Sequence, residues 1–216
     1  MKIQWLGHSA FRLEESTGTA IVTDPYNNDV GFEMPAQTAD AVTLSNPQKD
    51  HTSLKHIKGN PEIIKSLGAF EVKGIHVQSI RSYAHAGKKR GENIIYKFRI
   101  DGVEVCHLGN IGEECNIRIV ESVMPVNVLL IPVGGGLMTI DAAEAREYVD
   151  KIMPDIVIPM HYKTKDSALD IDKVNEFLEL FDEEDIVYCN SDTIYFDRSD
   201  FDGEKTKVIV LEKQSL

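Results

Sequence analysis

The chain has 216 residues, 42% of them hydrophobic, which is enough to bury one core, and we expect residues 1–216 to form a single domain. Its 23 basic and 35 acidic residues give a formal net charge of −12, which opposes non-specific attraction to nucleic acid and to anionic membranes. The three cysteines form no C-x-x-C pair, and no apolar run approaches the roughly 20 residues of a membrane span. We therefore expect a soluble, unexported, cytoplasmic protein without a disulfide framework or a thiolate zinc site.

The first half of the sequence is typical of short β-strands. Three of them, KIQWL, AFRLE and AIVTD, are separated by the turn sequences GHS and ESTG, which predicts an antiparallel meander. Further β-rich runs follow up to about residue 108, namely AVTLS, FEVKG, IHVQSI, NIIYKFRI and VEVCHL. The Asp101-Gly102 pair between the last two runs predicts a hairpin turn.

The second half alternates buried strands with helices. The apolar runs VNVLLIPV and DIVIPM lack a polar face, which is typical of strands buried on both sides. The clearest helix is predicted in TIDAAEAREYVDKIMPD, capped by Asp141 and stopped by Pro154. Its predicted apolar face consists of Ala142, Ala145, Val149 and Ile152. A second helix is predicted over residues 170–185, followed by strands at DIVYCN, TIYFD and KVIVLE. These elements predict layered sheets flanked by helices, of the α+β or α/β class.

Ionisable and amide side chains collect after several of the predicted strands. They occur in the loop sequences TDPY, SNPQKDH, SYAHAG, CHLGN and IPMHY. One histidine alone is more often a surface or core residue than a ligand. Ligands at strand ends, however, are held rigidly while one face of the site stays open. The joint pattern therefore indicates a metal site at one edge of a sheet scaffold.

Seven segments together resemble the metallo-β-lactamase superfamily. In order they are MKIQWLGHSAFRLE, TDPY, SNPQKDH, RGENIIYKF, DGVEVCHLGN, LLIPVGGG and IPMHYKT, and they span the chain to about residue 180. Within that superfamily the chain resembles the ascorbate-6-phosphate lactonase-like, predicted zinc-dependent hydrolases. The resemblance implies an α+β fold, an αββα sandwich of two mixed sheets packed face to face with helices on the outer faces. It also implies an active site at one edge, between the sheets.

The ligand pattern of that family transfers to part of this chain. In the family, H-x-H-x-D-H supplies two histidines to a first metal and an Asp-His pair to a second. A later histidine completes the first site, an aspartate bridges both metals, and a final histidine completes the second site. By resemblance, Asp50 and His51 match the Asp-His pair and His161 matches the last ligand. His85 matches the later histidine of the first site.

Three positions depart from the family pattern. Asn46 and Gln48 stand where the first two histidines belong, and Asn110 stands where the bridging aspartate belongs. Zinc prefers imidazole, thiolate or carboxylate donors to neutral amides, so we expect the first site to be weak or empty. The second site keeps two imidazoles and one carboxylate, the donor count of a mononuclear catalytic zinc. We expect one divalent metal, with zinc favoured and manganese or iron compatible; the alternative is no metal.

Three residues are candidates for the proton acceptor in a metal-assisted hydrolysis. They are Asp50, Asp24 and His8. Asp24 precedes Pro25, so a turn-initiating role is its alternative. His8 lies in the GHS turn and is otherwise a turn residue or a support for the ligands. His107 is interpreted either as a residue that orients the Asn110 loop or as a hydrogen-bonded core histidine.

Two further positions are candidates for substrate binding. Arg90, in the run KKRG, would pair with a phosphate or carboxylate, although such runs are usually solvated loops. Gly135, in PVGGG, would let backbone amides approach a substrate, or it belongs to a flexible turn.

Two functions are consistent with this sequence. The first is a metal-dependent hydrolase acting on a small ester, lactone or phosphoester, with a small molecule as substrate and no nucleic-acid or membrane partner. The second is a catalytically inert family member, a pseudoenzyme that serves as a binding or scaffold protein. A nuclease of the same superfamily is disfavoured by the net charge of −12. A homo-oligomer is compatible with either function.

Overall fold

The strands of the chain form two mixed β-sheets in the computed structural model, which describes residues 1–84 and 91–213. In chain order the strands are β1 Lys2–Gly7, β2 Ala10–Glu14, β3 Ala20–Thr23, β4 Gln37–Thr38, β5 Ala41–Thr43, β6 Ile57–Lys58, β7 Glu62–Ile64, β8 Gly68–Val72, β9 Ile75–Ala84, β10 Gly91–Ile100, β11 Val103–His107, β12 Val128–Pro132, β13 Ile156–Met160, β14 Ile186–Cys189, β15 Thr193–Tyr195 and β16 Lys207–Leu211. The α-helices are α1 Ile117–Val123, α2 Ala142–Ile152 and α3 Val174–Leu178. Strands β4 and β6 pair only with each other, as a separate ribbon.

The first sheet has six strands in the order β15-β1-β2-β3-β5-β7. Strands β1, β2 and β3 pair antiparallel, which confirms the predicted meander. Strands β5 and β7 then run parallel to β3, while β15 pairs antiparallel with β1 at the other side. The ends of β1, β3 and β5 therefore lie at the same edge of this sheet.

The second sheet has eight strands in the order β14-β16-β13-β12-β11-β10-β9-β8. Strands β8 to β11 pair antiparallel, and the predicted hairpin turn joins β10 to β11, where Asp101 and Gly102 have φ angles of 51° and 78°. Strands β11, β12, β13, β16 and β14 are parallel. Parallel strands place the loops after β11, β12 and β13 at one common edge.

One hydrophobic core joins the two sheets. Phe11 of the six-stranded sheet and Leu129 of the eight-stranded sheet belong to the same buried cluster, which also contains buried residues of all three helices. On the opposite face of the six-stranded sheet, Val42 packs with Tyr26 and Met34 in a smaller cluster. The fold is thus an α+β sandwich, as the sequence predicted. None of the helices in the described residues is long and apolar enough to cross a membrane.

Helix α2 confirms the predicted position and cap. Asp141 accepts a hydrogen bond from the Glu144 N–H, and the Glu144 carboxylate accepts one from the Asp141 N–H, which together make a capping box. The chain leaves the helix at Met153, directly before Pro154. Tyr148 is a buried member of the apolar face that the sequence pattern had not included.

The second predicted helix is much shorter than expected. Only Val174–Leu178 is α-helical, and Glu183–Asp185 forms a separate 3-10 turn. No side chain caps the first turn at Lys173, and the last turn tightens through i to i+3 bonds from Leu180 N–H and Phe181 N–H. Helix α1, which the sequence did not predict, has only seven residues and begins at Ile117, directly after Asn116, whose side chain caps it.

Tyr96 ties strand β10 to the six-stranded sheet. Its buried hydroxyl lies 3.0 Å from the Leu44 carbonyl oxygen and 2.9 Å from the Ile64 carbonyl oxygen. Replacement of Tyr96 by Phe should lower the free energy of unfolding by about 1 kcal/mol, because one buried hydrogen bond is lost. Urea unfolding would measure this change, with the exposed Tyr195→Phe as the control. Equal stability of the two variants would contradict a linking role for the hydroxyl.

Candidate metal centre

The predicted polar loops that lie within the described residues meet at one edge of the sandwich. Backbone contacts at this edge also join the two sheets: the His161 N–H donates to the His8 carbonyl at 3.2 Å, and the Ile94 N–H donates to the Ser45 carbonyl at 2.7 Å. His107 Nε2 lies 2.9 Å from the Ser9 carbonyl oxygen. The loops that carry candidate ligands are therefore held to one another by main-chain hydrogen bonds.

Four ligand-type side chains converge here. One ligand atom from each of His8, Asp50, His51 and His161 lies within 4.8 Å of the others. His8 Nε2 is 3.4 Å and His51 Nε2 is 3.7 Å from Asp50 Oδ2. The three histidines are buried, whereas the Asp50 side chain keeps 13% of its surface exposed. The cluster thus has a carboxylate at its more accessible side.

Asp24 orients one of these histidines. Asp24 Oδ2 lies 2.9 Å from His51 Nδ1, and the same carboxylate accepts hydrogen bonds from the N–H and the hydroxyl of Ser45. An acceptor at Nδ1 keeps the His51 proton on that nitrogen and leaves the Nε2 lone pair directed to the cluster. Asp24 therefore fixes the tautomer that a metal ligand requires.

The electrostatics of the cluster favour neutral imidazoles at His8 and His161 beside an ionised Asp50. Burial, followed by the nearby His8 and His51, holds the pKa of His161 well below its ordinary value, and burial also lowers the pKa of His8. Burial would raise the pKa of Asp50, but the nearby His8, His51 and His161 lower it instead. Burial would lower the pKa of His51, but Asp24 raises it above its ordinary value.

Buried polar atoms without a partner concentrate at this edge. Among the described residues, twelve buried side-chain nitrogen and oxygen atoms have no hydrogen-bond partner, and nine of them come from seven residues at this edge. The seven residues are His8, Ser9, Thr43, Asp50, His51, Asn110 and His161. Buried polar groups are normally paired, so this concentration indicates a place for a bound group. Three imidazoles and one carboxylate fit a divalent ion such as zinc.

Three residues of the site hold the backbone in a left-handed conformation. His8, Asp24 and His161 have φ angles of 51°, 39° and 53°. Such angles are uncommon for residues other than glycine and cost free energy, and they gather at functional sites where the surroundings enforce them. The strain here falls on residues that carry or orient candidate ligands.

The three amide positions differ from one another. The Asn46 side chain donates to the Glu92 carbonyl at 2.8 Å and accepts from the Gln48 N–H at 3.0 Å, so both ends of the amide are occupied. Gln48 is exposed. Asn110 is fully buried, and neither atom of its amide has a partner within the described part of the chain.

Four other predicted residues are not among the clustered ligand residues or fall outside the described part of the chain. The Gly135 N–H donates to the Ile140 carbonyl, so this contact does not favour the predicted role of Gly135 in substrate binding. His107 accepts from the Gly109 N–H through Nδ1, as a hydrogen-bonded core histidine does. His85 and Arg90 lie outside the described residues.

Sequence reasoning missed two residues that support the site. Ser45 holds Asp24, and the Asn93 side chain accepts from the Asn110 N–H at 2.8 Å while donating to the Leu108 carbonyl. Asn93 lies inside RGENIIYKF, one of the segments that resemble the metallo-β-lactamase superfamily. A polar residue inside a strand pattern, however, does not by itself indicate a positioning role.

A sheet sandwich that gathers histidines and a carboxylate from strand-end loops at one edge has the architecture of a metallo-β-lactamase-fold protein. Residues 2–161 match the family model described as the beta-lactamase superfamily domain. The chain belongs to this superfamily.

Solved and curated relatives agree with that assignment. A structure from Thermotoga maritima, described as a candidate Zn-dependent hydrolase of the metallo-beta-lactamase superfamily, is 35% identical, with a TM-score of 0.79 over 97% of both chains. A UPF0173 protein of Pyrococcus furiosus is 32% identical over 187 residues, 78% of this chain and 86% of the relative. A UPF0173 metal-dependent hydrolase of Carboxydothermus hydrogenoformans is 25% identical over 195 residues, 76% of this chain and 85% of the relative.

Proposed function

We propose that this protein is a metal-dependent hydrolase that acts on a small ester, lactone or phosphoester with one divalent ion. The observation that carries the proposal is the buried cluster of His8, Asp50, His51 and His161, whose ligand atoms lie within 4.8 Å of one another. Similarity to relatives described as metal-dependent hydrolases supports the same reaction class.

Asp50, His51 and His161 would hold the ion. A divalent ion in this cluster would supply Lewis-acid activation of water and of the scissile carbonyl or phosphoryl group. One ion is proposed because the Asn46 amide is already hydrogen bonded and the neutral amide of the exposed Gln48 is a poor donor for zinc. Zinc is favoured by this donor set, and manganese or iron would also suit it.

The protein's own residues have distinct tasks in this proposal. Asp24 keeps the His51 proton on Nδ1, and Asp50, the partly exposed member of the cluster, accepts a proton from the attacking water. The buried Asn110 amide can donate through Nδ2 to an oxygen of the substrate, since both its polar atoms are without partners among the described residues.

The surroundings of the site favour a small substrate. The net charge of −12 disfavours a polyanion such as nucleic acid, and a small ester or lactone carries no such penalty. The three cysteines are free thiols, which agrees with the reducing cytoplasm that we propose as the setting.

A catalytically inert binding or scaffold protein is the second candidate. The observation that favours it is the structural use of Asn46, whose amide anchors its loop instead of facing the cluster. The variant that carries Asn46→His, Gln48→His and Asn110→Asp distinguishes the two candidates. If hydrolysis occurs only in this variant and not in the parent chain, the amides account for an inert parent.

Elemental analysis combined with a hydrolase screen tests the proposal. We expect the full chain to hold about one equivalent of a divalent ion, to hydrolyse at least one ester, lactone or phosphoester, and to lose that activity on chelation until zinc or manganese is restored. His161→Ala should remove both the ion and the activity, whereas the exposed His76→Ala should change neither. A chain that holds no ion and gains no activity from added zinc or manganese would contradict the proposal.

A further inference from the structure

His8 lies in the turn between β1 and β2, far from the motif that carries the other ligands. We propose that His8 is the fourth protein ligand of the metal, in addition to Asp50, His51 and His161. The inference rests on the proposed function in one respect, since both need a divalent ion at this cluster. It assigns His8 to ligation and not to proton transfer.

The distance between His8 and Asp50 fits two ligands of one ion. Ligand atoms on a tetrahedral zinc with bonds of about 2.1 Å are about 3.4 Å apart. His8 Nε2 and Asp50 Oδ2 are 3.4 Å apart, and His51 Nε2 and Asp50 Oδ2 are 3.7 Å apart. His8 therefore meets the spacing at least as well as His51, which the family motif identifies as a ligand.

The spacing of the rings supports the same assignment. Two imidazoles bound through one nitrogen each to the same tetrahedral ion have centroids about 5 Å apart. The His8 and His51 centroids are 5.2 Å apart, and those of His51 and His161 are 5.7 Å apart. The His8 and His161 rings are 4.1 Å apart, so these two rings would separate by about 1 Å on binding.

The backbone holds His8 in place for this role. Its carbonyl accepts hydrogen bonds from the Trp5 indole at 3.0 Å and from the His161 N–H at 3.2 Å. These bonds maintain a left-handed φ of 51° that would otherwise be costly. The His8 Nε2 is buried and has no hydrogen-bond partner within the described residues. The hydrogen bond from the His161 N–H also couples the position of His8 to that of His161, another proposed ligand.

The resulting shell consists of three imidazoles and one carboxylate. With His8 a ligand and Asp24 enclosed by Ser45 and His51, Asp50 remains the proton acceptor among the three residues predicted for that role. It would accept the proton on Oδ1, because Oδ2 is the oxygen that faces His8 and His51. The exposed side of Asp50 leaves an approach for substrate and for a water molecule, which would bind as a fifth ligand. The family motif is therefore incomplete in this chain, while four protein donors are available for one ion.

Zinc titration of the metal-free full chain tests the inference. We expect His8→Gln to weaken zinc binding by about 100-fold or more, since losing a ligand should exceed the 10- to 100-fold effect typical of a residue that merely supports one. The visible absorption of the Co²⁺-loaded protein should change in the same variant, because the spectrum reports the donors around the ion. The exposed His76→Gln serves as the matched control and should bind zinc as the parent does.

A second variant controls for misfolding of His8→Gln at the strained turn. Asn adopts left-handed backbone more readily than Gln, so His8→Asn should fold, as circular dichroism would check, and should show the same loss of zinc affinity. Zinc affinity within about 3-fold of the parent in both His8 variants, with His161→Gln still losing it, would overturn the ligand role of His8 alone. A parent chain that takes up no zinc or other divalent ion would overturn this inference and the proposed function together.

Discussion

Replacement of Asp24 by Ala should destabilise the protein by about 3–5 kcal/mol, the range typical of removing one partner from a buried charged pair. The Asp24 carboxylate is fully buried and accepts hydrogen bonds from the Ser45 N–H, the Ser45 hydroxyl and His51 Nδ1. Alanine would leave all three donors without an acceptor. Urea unfolding of the metal-free chain measures the loss, with Asp150→Asn as the control. Among the described residues the exposed Asp150 pairs only with the half-buried Arg146, so its replacement should change stability by less than about 1 kcal/mol.

Asp24→Asn separates the role of Asp24 in folding from its role at the metal centre. Asn can still accept the Ser45 N–H, but its NH₂ group cannot accept the proton of His51 Nδ1. If the NH₂ group faces His51, the histidine proton should move to Nε2, the atom that faces the cluster. We expect zinc affinity to fall about 10- to 100-fold with a smaller loss of stability than in Asp24→Ala. Unchanged zinc affinity in a folded Asp24→Asn chain would contradict the orienting role.

The fold could be predicted from the sequence where local patterns were strong. The strand runs are short and bounded by turn residues, and Asp101-Gly102 and the Asp141 cap are local signals that survive in the folded protein. The length of the second helix could not be predicted, because the pattern of Val174, Phe177 and Phe181 fits a helix of several turns while its end depends on tertiary packing.

Part of the candidate site could also be predicted from the sequence, and part could not. The loop after β5 and the loop after β13 could be predicted, because Asp50, His51 and His161 lie in motifs with a recognisable order. The contribution of His8 could not be derived from its spacing, since it depends on the approach of β1 in one sheet to β13 in the other. A contact between sheets has no sequence period, and only the packed structure brings the GHS turn into the cluster.

The three amide side chains have different environments in the structure. The sequence treats Asn46, Gln48 and Asn110 alike, as replacements for ligands. The structure separates an amide that anchors a loop, one that is exposed, and one that is buried without a partner among the described residues. That distinction depends on Glu92 and Asn93 in strand β10, which the loop sequences do not contain.

Gly134→Ala should lower the free energy of unfolding by about 2–3 kcal/mol and weaken metal binding, although Gly134 itself offers no ligand. A Cβ at this position would lie 2.1 Å from the His161 carbonyl oxygen and 3.2 Å from the Tyr162 Cα, and both are backbone atoms that cannot rotate away. The strand end that carries His161 must therefore shift. Ligand groups need placement within about 0.5 Å, so a shift of that strand end should disturb the cluster.

The control for Gly134→Ala is Gly59→Ala, because a Cβ at Gly59 would meet no atom within 4 Å. Gly59 has a φ of 88°, so alanine there should cost about 1–2 kcal/mol through backbone strain alone and leave zinc affinity unchanged. Gly134 has no left-handed φ, and any larger effect there reports the close approach to His161. Urea unfolding and zinc titration of both variants measure the difference. A Gly134→Ala chain that binds zinc like the parent would show that the His161 loop can move without loss of the ligand geometry. That result would contradict the rigid placement implied by the hydrogen bond from His161 to His8 and by the close approach of Gly134.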